Sequence, residues 1–229
     1  MRRSSSVDGR EVSVDELEGK VVVVSGIGPG LGRSIARTCA GEGARVVVAA
    51  RTEARVGALT DELRSHGAQA HGVVADITIE SLRERLVSEA MTAFGAVDGL
   101  VNNAFAMGPM APCDDVTPEH WRAVFEVNVF ATMALGTAFA PLLAHAGRGS
   151  IVMINSQAAR RGAARRGPAR RGPYAASKAA LLVAAQVLAS ELGPRGVRVN
   201  SVVPGQIWGE SLLPTTPQWP TVAARASPR

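Results

Sequence analysis

The chain has 229 residues, of which 46% are hydrophobic and 20% are charged, a composition typical of one globular domain rather than of a disordered, collagen-like or coiled-coil protein. Its longest apolar runs, such as residues 21–24 and 179–185, are well short of the roughly 20 residues that a membrane span needs. Polar residues follow the basic start Met1–Arg3, so we predict no signal peptide, no membrane crossing and a cytoplasmic location.

The net charge of +5 comes from one short segment. Six of the 25 basic residues are arginines between positions 160 and 171, and the other 19 are balanced by 20 acidic residues. Residues 159–173 repeat the pattern Ala-Arg-Arg-Gly-Ala/Pro with a period of five, which is neither a helical nor a strand period. The glycines and prolines of the repeat therefore predict a loop. Because the excess positive charge is confined to this loop, nucleic acid is not the expected partner.

Short β-branched segments alternate with longer helical segments along the rest of the chain. The sequence predicts strands at Lys20–Ser25, Arg45–Ala50, Ala70–Val74, Gly99–Asn102, Ser150–Asn155 and Arg198–Val203. It predicts helices at Leu31–Glu42, Glu53–His66, Glu80–Phe94, Pro118–Ala146 and Tyr174–Leu192.

Strict alternation of this kind favours right-handed βαβ units. We predict an α/β fold, a Rossmann-type doubly wound parallel sheet of about six strands with helices on both faces. No linker divides the chain, so residues 19–213 are predicted to be a single domain, with a flexible extension at 1–18 and an irregular tail at 214–229.

Four glycines follow the first predicted strand, at a spacing that differs from the G-x-G-x-x-G fingerprint. The next helix would direct its unpaired N–H groups and the positive end of its dipole at this turn, and glycines would let a pyrophosphate approach closely. A tight turn that only packs the helix on the sheet is the alternative. We predict a dinucleotide site that includes Ser25, Gly26, Gly28, Gly30, Leu31 and Gly32.

The end of the second predicted strand bears on the choice of cofactor. An acidic residue here would bind the ribose 2′-hydroxyl of NAD, but the strand ends in Arg51. Arg51 could hold the 2′-phosphate of NADP, or it could be a solvated surface residue. Arg51 therefore favours NADP. NAD stays open, because Glu53 is close enough in sequence to bind the ribose instead.

A tyrosine and a lysine four residues apart lie at the start of the last predicted helix. This spacing places Tyr174 and Lys178 on one helical face, where an ammonium would favour an ionised phenol that can transfer protons. Tyr174 is the only tyrosine of the chain and Lys178 is one of two lysines among 25 basic residues. A packed tyrosine beside a lysine is the structural alternative, and the glycine-rich turn earlier in the chain favours catalysis.

From about Lys20 to Gly209 the chain resembles the short-chain dehydrogenase/reductase family. The resemblance implies an NAD(P)-dependent oxidoreductase that transfers a hydride between a nicotinamide cofactor and a secondary alcohol or ketone. It also implies a homo-oligomer, a dimer or a tetramer. The residues that carry the resemblance are the turn Ser25–Gly32, Asp76, Asn102-Asn103-Ala104, Asn128, Ser156, Tyr174 with Lys178, and Pro204-Gly205.

The resemblance implies a role for each of these residues. Tyr174 would be the general acid/base, Lys178 would hold the nicotinamide ribose, and Ser156 would bind the substrate oxygen. Asn128 would support a water relay. Asp76 would contact the adenine, and the remaining cofactor contacts would come from Ile77, Asn103, Ala104, Pro204, Gly205 and Ile207. In isolation Ser156 and Asp76 could also be ordinary capping residues.

A finer likeness rests on residues 25–33 and 204–209. These segments resemble the actinobacterial family members associated with mycofactocin, which hold their nicotinamide tightly. The four histidines and two cysteines show no metal-ligand spacing, so we predict no metal site.

Four departures from the family pattern leave an alternative open, a catalytically impaired NAD(P)-binding protein. Ser156 and Tyr174 are eighteen residues apart where the family has about thirteen, an excess of one repeat unit that an outward loop absorbs at little entropic cost. Phe105 replaces the glycine of Asn-Asn-Ala-Gly, and Trp208 replaces a common threonine. After Gly209 the last helix and strand of the family are not recognisable, so we predict a chain that is C-terminally truncated relative to the family.

Overall fold

A six-stranded parallel sheet forms the centre of the computed structural model, which describes residues 4–7, 10–13, 16–161, 170–205 and 207. Its strands lie in the order β5-β4-β3-β6-β7-β8. The order reverses at β3, and a crevice opens where the carboxyl ends of β3 and β6 diverge. The predicted doubly wound parallel sheet is confirmed. The strands are β3 (Val21–Ser25), β4 (Arg45–Ala50), β5 (Ala70–Val74), β6 (Gly99–Asn102), β7 (Ser150–Ile154) and β8 (Arg198–Val202).

Helices cover both faces of this sheet and bury two apolar layers. Val21 and Val23 belong to the layer under α3, α5 and α7, whereas Val22 and Val24 belong to the layer under α1 and α2. A strand that is buried on both faces has no polar side, so it reads as a continuous apolar run. The helices are α1 (Leu31–Gly41), α2 (Glu53–Ser65), α3 (Glu80–Phe94), α4 (Pro118–Phe125), α5 (Thr132–His145), α6 (Ala158–Arg161) and α7 (Gly172–Leu192).

The predicted helix 118–146 is interrupted. It consists of α4, a π-helical segment at Glu126–Ala131, and α5. The prediction of one regular α-helix was wrong there. A π turn inserts a residue into the helix but leaves its apolar composition unchanged, so the sequence pattern does not indicate it. Asn128 lies in this π-helical segment.

Two helical stretches of the described chain, Pro118–His145 and Gly172–Arg195, are long and apolar enough to span a membrane by length and composition alone. Both contribute buried residues to the layer on the sheet, among them Leu135, Phe139 and Leu181. Because the core helix of a globular protein passes the same test, this is weak evidence for a span.

The N-terminal region contains a separate two-stranded antiparallel sheet, formed by β1 (Ser4–Val7) and β2 (Arg10–Ser13). The sequence analysis placed no strand in the predicted extension 1–18. The middle of the arginine repeat, residues 162–169, and nearly all of the segment after Gly205, including Trp208 and the predicted tail, lie outside the described residues.

Candidate active site

A cleft of about 1030 Å³ runs along the carboxyl ends of the strands. The structure brings most of the predicted site residues together in its lining. They are Gly26, Gly28, Gly30, Leu31, Gly32, Arg51, Asp76, Ile77, Asn103, Ala104, Ser156, Tyr174, Lys178, Pro204, Gly205 and Ile207. Two predicted residues, Ser25 and Asn128, are fully buried beside the cleft and do not line it.

The glycine-rich turn divides into two functional halves. A Cβ on Gly26 would lie 2.3 Å from the backbone nitrogen of Ala104, and one on Gly32 would lie 2.4 Å from the carbonyl oxygen of Gly26. These two glycines are therefore required by the packing of the turn. A Cβ on Gly28 or Gly30 would meet nothing within 4 Å, so the space above them is open.

This open space fits the pyrophosphate of a dinucleotide. Gly30 is the N-cap of α1 and has no side chain to bond the free N–H groups of the first turn. Those groups and the helix dipole favour an anion there. The side chain of Asn103 donates to the carbonyl oxygen of Gly26 at 2.6 Å and holds the turn against the segment after β6.

Ser25 contributes to the site in a different way from the one predicted. Its side chain is 0% exposed, and its hydroxyl has no hydrogen-bond partner among the described residues. Its carbonyl oxygen accepts a hydrogen bond from the backbone N–H of Asn103 at 3.1 Å. Ser25 therefore supports the turn from below, and its side chain does not face the cleft.

Arg51 and Asp76 lie at the end of the cleft formed by β4 and β5. The Arg51 guanidinium is 3.9 Å from one carboxylate oxygen of Asp76. The other oxygen accepts hydrogen bonds from the backbone N–H and the hydroxyl of Thr78, at 3.0 and 2.8 Å. Asp76 therefore stabilises the turn that precedes α3 and does not cap the helix, whose N-cap is Ile79. It also balances part of the charge of Arg51, and its contact with the adenine stays a prediction.

Tyr174 and Lys178 lie close together on α7, as their spacing predicts. The Lys178 ammonium is 6.0 Å from the centroid of the Tyr174 ring and donates to the carbonyl oxygen of Ile154 at 2.8 Å. Lys178 is only 2% exposed, and no acidic residue of the described chain forms an ion pair with it. Burial therefore lowers its pKa from 10.5 to about 8.

Because the pKa of Lys178 is lowered in the folded protein, folding stability depends on pH with the opposite sign to that of a lysine that gains an ion-pair partner. The unfolded chain keeps a proton on Lys178 up to about pH 10.5, whereas the folded chain releases it near pH 8. The free energy of unfolding therefore rises with pH across that window. Below pH 8 the folded protein bears the full cost of the buried ammonium, on the order of 3 kcal/mol.

Lys178→Met is expected to show this cost. The stability of the variant relative to the wild type should be greatest near pH 7 and should decrease as the pH rises towards 10, because only the wild type relieves the cost. Urea unfolding midpoints of both proteins across this range measure the difference. A difference that does not change with pH would mean that Lys178 titrates normally.

Asn128 holds the loop after β6 in place. Its amide accepts from the backbone N–H of Ala106 at 2.7 Å and donates to the carbonyl oxygen of Ala106 at 2.9 Å. The same amide donates to the hydroxyl of Ser177 at 2.9 Å, and Ser177 donates to the carbonyl oxygen of Tyr174 at 2.8 Å. Asn128 therefore links that loop to the first turn of the helix that carries Tyr174, and its role in a water relay stays a prediction.

Ser156 follows β7 and lines the cleft, but its hydrogen bond is local. Its hydroxyl accepts from the backbone N–H of Ala158 at 3.2 Å at the start of α6. Prediction of a loop throughout the repeat was wrong at both of its ends. Ala159–Arg161 belong to α6, because this bond and the helix-favouring alanines stabilise a short helix. Gly172 and Pro173 lie in the first turn of α7, where a proline is tolerated. No hydrogen bond joins Ser156 to the Tyr174 hydroxyl in the described part of the chain, so binding of the substrate oxygen stays a prediction.

Two residues that the sequence analysis gave no role in the site also shape it. Ser177 connects Asn128 to Tyr174, but a serine inside an alanine-rich helix gives no sequence signal of this contact. The ring of Phe105 meets the ring of Tyr174 edge to face, with centroids 6.2 Å apart. The departure of Phe105 from the family glycine was its only signal.

Comparison with known proteins agrees with this geometry. Residues 20–215 match the short chain dehydrogenase family, and the chain belongs to it. The chain is 36% identical to human dehydrogenase/reductase SDR family member 4 over 193 residues, which are 84% of this chain and 68% of the relative. It is 35% identical to 7alpha-hydroxysteroid dehydrogenase of Escherichia coli (strain K12) over 196 residues, which are 86% of this chain and 74% of the relative.

A solved structure of similar fold is the crystal structure of NAD+-bound xylitol dehydrogenase. It has a TM-score of 0.77 and 27% sequence identity, and the match covers 83% of this chain and 71% of that one. The protein is therefore an NAD(P)-dependent oxidoreductase of the short-chain family, which acts on CH–OH groups of a small-molecule substrate. The predicted likeness to mycofactocin-associated members is not confirmed by these relatives.

Proposed function

We propose that the protein interconverts a secondary alcohol and a ketone, with Tyr174 as the general acid/base. The observation that carries this proposal is that Tyr174 and the buried Lys178 share one cleft with the open glycine-rich turn. A nicotinamide cofactor held in this cleft would supply the hydride acceptor for the alcohol and the hydride donor for the ketone. NADP or NAD would lie over Gly28 and Gly30, with its ribose near Lys178.

The chain's own residues supply the proton transfer. In alcohol oxidation the Tyr174 oxygen takes the hydroxyl proton of the substrate, and in ketone reduction it returns that proton to the forming alkoxide. The ammonium of Lys178 lies beside the ring and stabilises negative charge on the Tyr174 oxygen. Ser156 lines the same cleft and is proposed to bind the substrate oxygen.

The test is turnover by the purified chain with NAD+ or NADP+ and a series of secondary alcohols, followed by the absorbance of the reduced nicotinamide. We expect reduction of the cofactor that depends on the alcohol. Tight cofactor binding without turnover of any alcohol would instead support the impaired nucleotide-binding protein that the eighteen-residue spacing of Ser156 and Tyr174 left open.

Arg51 supports a preference for NADP. Its side chain is 73% exposed at the cofactor end of the cleft and meets Asp76 only at 3.9 Å, which leaves donors free for a 2′-phosphate. We expect Arg51→Ala to weaken NADP binding about tenfold and to leave NAD binding nearly unchanged, because only NADP offers a charge-assisted hydrogen bond to the guanidinium. Calorimetric dissociation constants measure both, and equal losses would make Arg51 a surface residue.

We also propose that the protein forms a homo-oligomer through α7. Val183 and Val187 lie one turn apart on this helix and are 59% and 53% exposed, so they form an adjacent pair of apolar side chains on its surface. Val187→Glu is expected to shift the protein towards the monomer, because a second copy would have to bury the added charge. Light scattering measures the mass, and an unchanged oligomer would place the interface elsewhere.

A further inference from the structure

We infer that the substrate is an apolar alcohol or ketone, and that Phe105 selects it by forming a wall beside Tyr174. The inference rests on the proposed function, because it names the substrate class of the same site. It depends on where the large exposed apolar side chains of the described chain lie. Exposed apolar side chains that line a cleft together indicate a ligand-binding surface, whereas isolated ones are common on folded proteins.

Phe105 is 53% exposed and lies directly against the acid/base residue. Its ring meets the ring of Tyr174 with an interplanar angle of 67°. A substrate whose oxygen reaches the Tyr174 hydroxyl would have its carbon body close to this ring. This edge-to-face contact is favourable, and it fixes the orientation of the Phe105 ring.

The apolar surface extends beyond Phe105. Met107 and Met110 follow it in the same loop and also line the cleft, and Met110 is 58% exposed. Ile207 lines the cleft as well and is 43% exposed. Methionine side chains are flexible and polarisable, so they adapt to apolar groups of different shape. We name Phe105, Met107 and Met110 the apolar wall.

The two sides of the cleft differ in chemistry. The wall comes from the segment after β6, whereas polar Ser156 and Gln157 come from the segment after β7. An alcohol with one large apolar group can place its oxygen among the polar groups and its carbon body on the wall. A polyol would bring hydroxyls against aromatic and thioether groups that cannot bond them, and this is unfavourable.

The wall is held in place before any substrate binds. The buried amide of Asn128 bonds both the N–H and the carbonyl of Ala106, the residue next to Phe105. On the other side, Asn103 is fixed to the glycine-rich turn through Gly26. A substrate therefore does not have to order this part of the loop, and contact with the wall contributes directly to affinity.

The experiment compares three alcohols and three proteins with the full chain and saturating cofactor. The alcohols are 1-(2-naphthyl)ethanol, propan-2-ol and xylitol, and the proteins are the wild type, Phe105→Ala and Phe130→Ala. Phe130 is a matched control, because it is 58% exposed but does not line the cleft. We expect the wild type to prefer the naphthyl alcohol over both others.

Phe105→Ala should lower kcat/KM for the naphthyl alcohol about tenfold or more, mainly through KM. The same substitution should lower the value for propan-2-ol much less, so that the ratio of the two values falls several-fold, since two methyl groups cover far less of the Phe105 ring than a naphthyl group does. Phe130→Ala should leave the preference unchanged. A wild type that turns over xylitol best, or a Phe105→Ala variant that loses equally on all three alcohols, would overturn the inference and leave the proposed function intact.

Binding of the matching ketone, 2-acetonaphthone, gives a second readout that does not need turnover. Calorimetry should show that the cofactor-loaded wild type binds this ketone and that Phe105→Ala binds it more weakly, with a negative heat-capacity change in the wild type. If no alcohol is turned over, the proposed function fails, but ketone binding that depends on Phe105 would still support the wall. Equal binding by both proteins would overturn it.

Discussion

Tyr174→Phe is expected to reduce turnover by about a hundred- to ten-thousandfold, the range typical for loss of a general acid/base. The substitution removes only the hydroxyl group. The ring stays in place, because Tyr174 is 9% exposed and keeps its edge-to-face contact with Phe105. Its hydroxyl has no hydrogen-bond partner among the described residues, so no protein group is left unsatisfied.

This variant therefore separates chemistry from binding. We expect the dissociation constant of the cofactor and the thermal unfolding midpoint to remain those of the wild type within about twofold and a few degrees. Initial rates with the best alcohol, together with calorimetric titration of the cofactor, measure the two effects. More than a tenth of the wild-type rate would rule out Tyr174 as the proton-transferring group.

The central sheet could be predicted from the sequence almost to the residue. Strands such as β4 match their predicted bounds because both faces are buried, and a fully buried strand reads as an uninterrupted β-branched run. The predicted ends shift by one residue at Lys20, at Asn155 and at Val203. End residues are the weakest part of such a prediction, because they lie where the ladder of hydrogen bonds stops.

The parts that the sequence did not reveal depend on contacts between distant segments. The π-helical segment around Asn128 keeps the apolar composition of an α-helix, so the pattern of residues gave no sign of it. The hydrogen bonds of Asn128 reach Ala106 and Ser177, which lie 22 and 49 residues away in the chain. The N-terminal pair of strands is an exception, because its sequence signal is local. Asp8-Gly9, a favoured turn pair, lies between β1 and β2 in the sequence.

The glycine-rich turn shows how one sequence motif can carry two separate requirements. Gly26 adopts φ +83°, which other residues rarely adopt, and a Cβ there would lie 2.3 Å and 2.4 Å from the backbone nitrogen and Cα of Ala104. Neither atom can move without displacing the end of β6. Gly26→Ala is therefore expected to lower the free energy of unfolding by on the order of 4 kcal/mol, from backbone strain and steric overlap together.

Gly28→Ala is the matched control, because the same added methyl group meets no protein atom within 4 Å. Its urea unfolding midpoint should stay close to that of the wild type, whereas its affinity for NADP or NAD should fall about tenfold, since the methyl group enters the space proposed for the pyrophosphate. If Gly28→Ala binds the nucleotide as well as the wild type, the open space over the turn is not where the cofactor lies. If Gly26→Ala unfolds at the wild-type urea concentration, the turn can separate from β6, and packing does not explain the glycine at position 26.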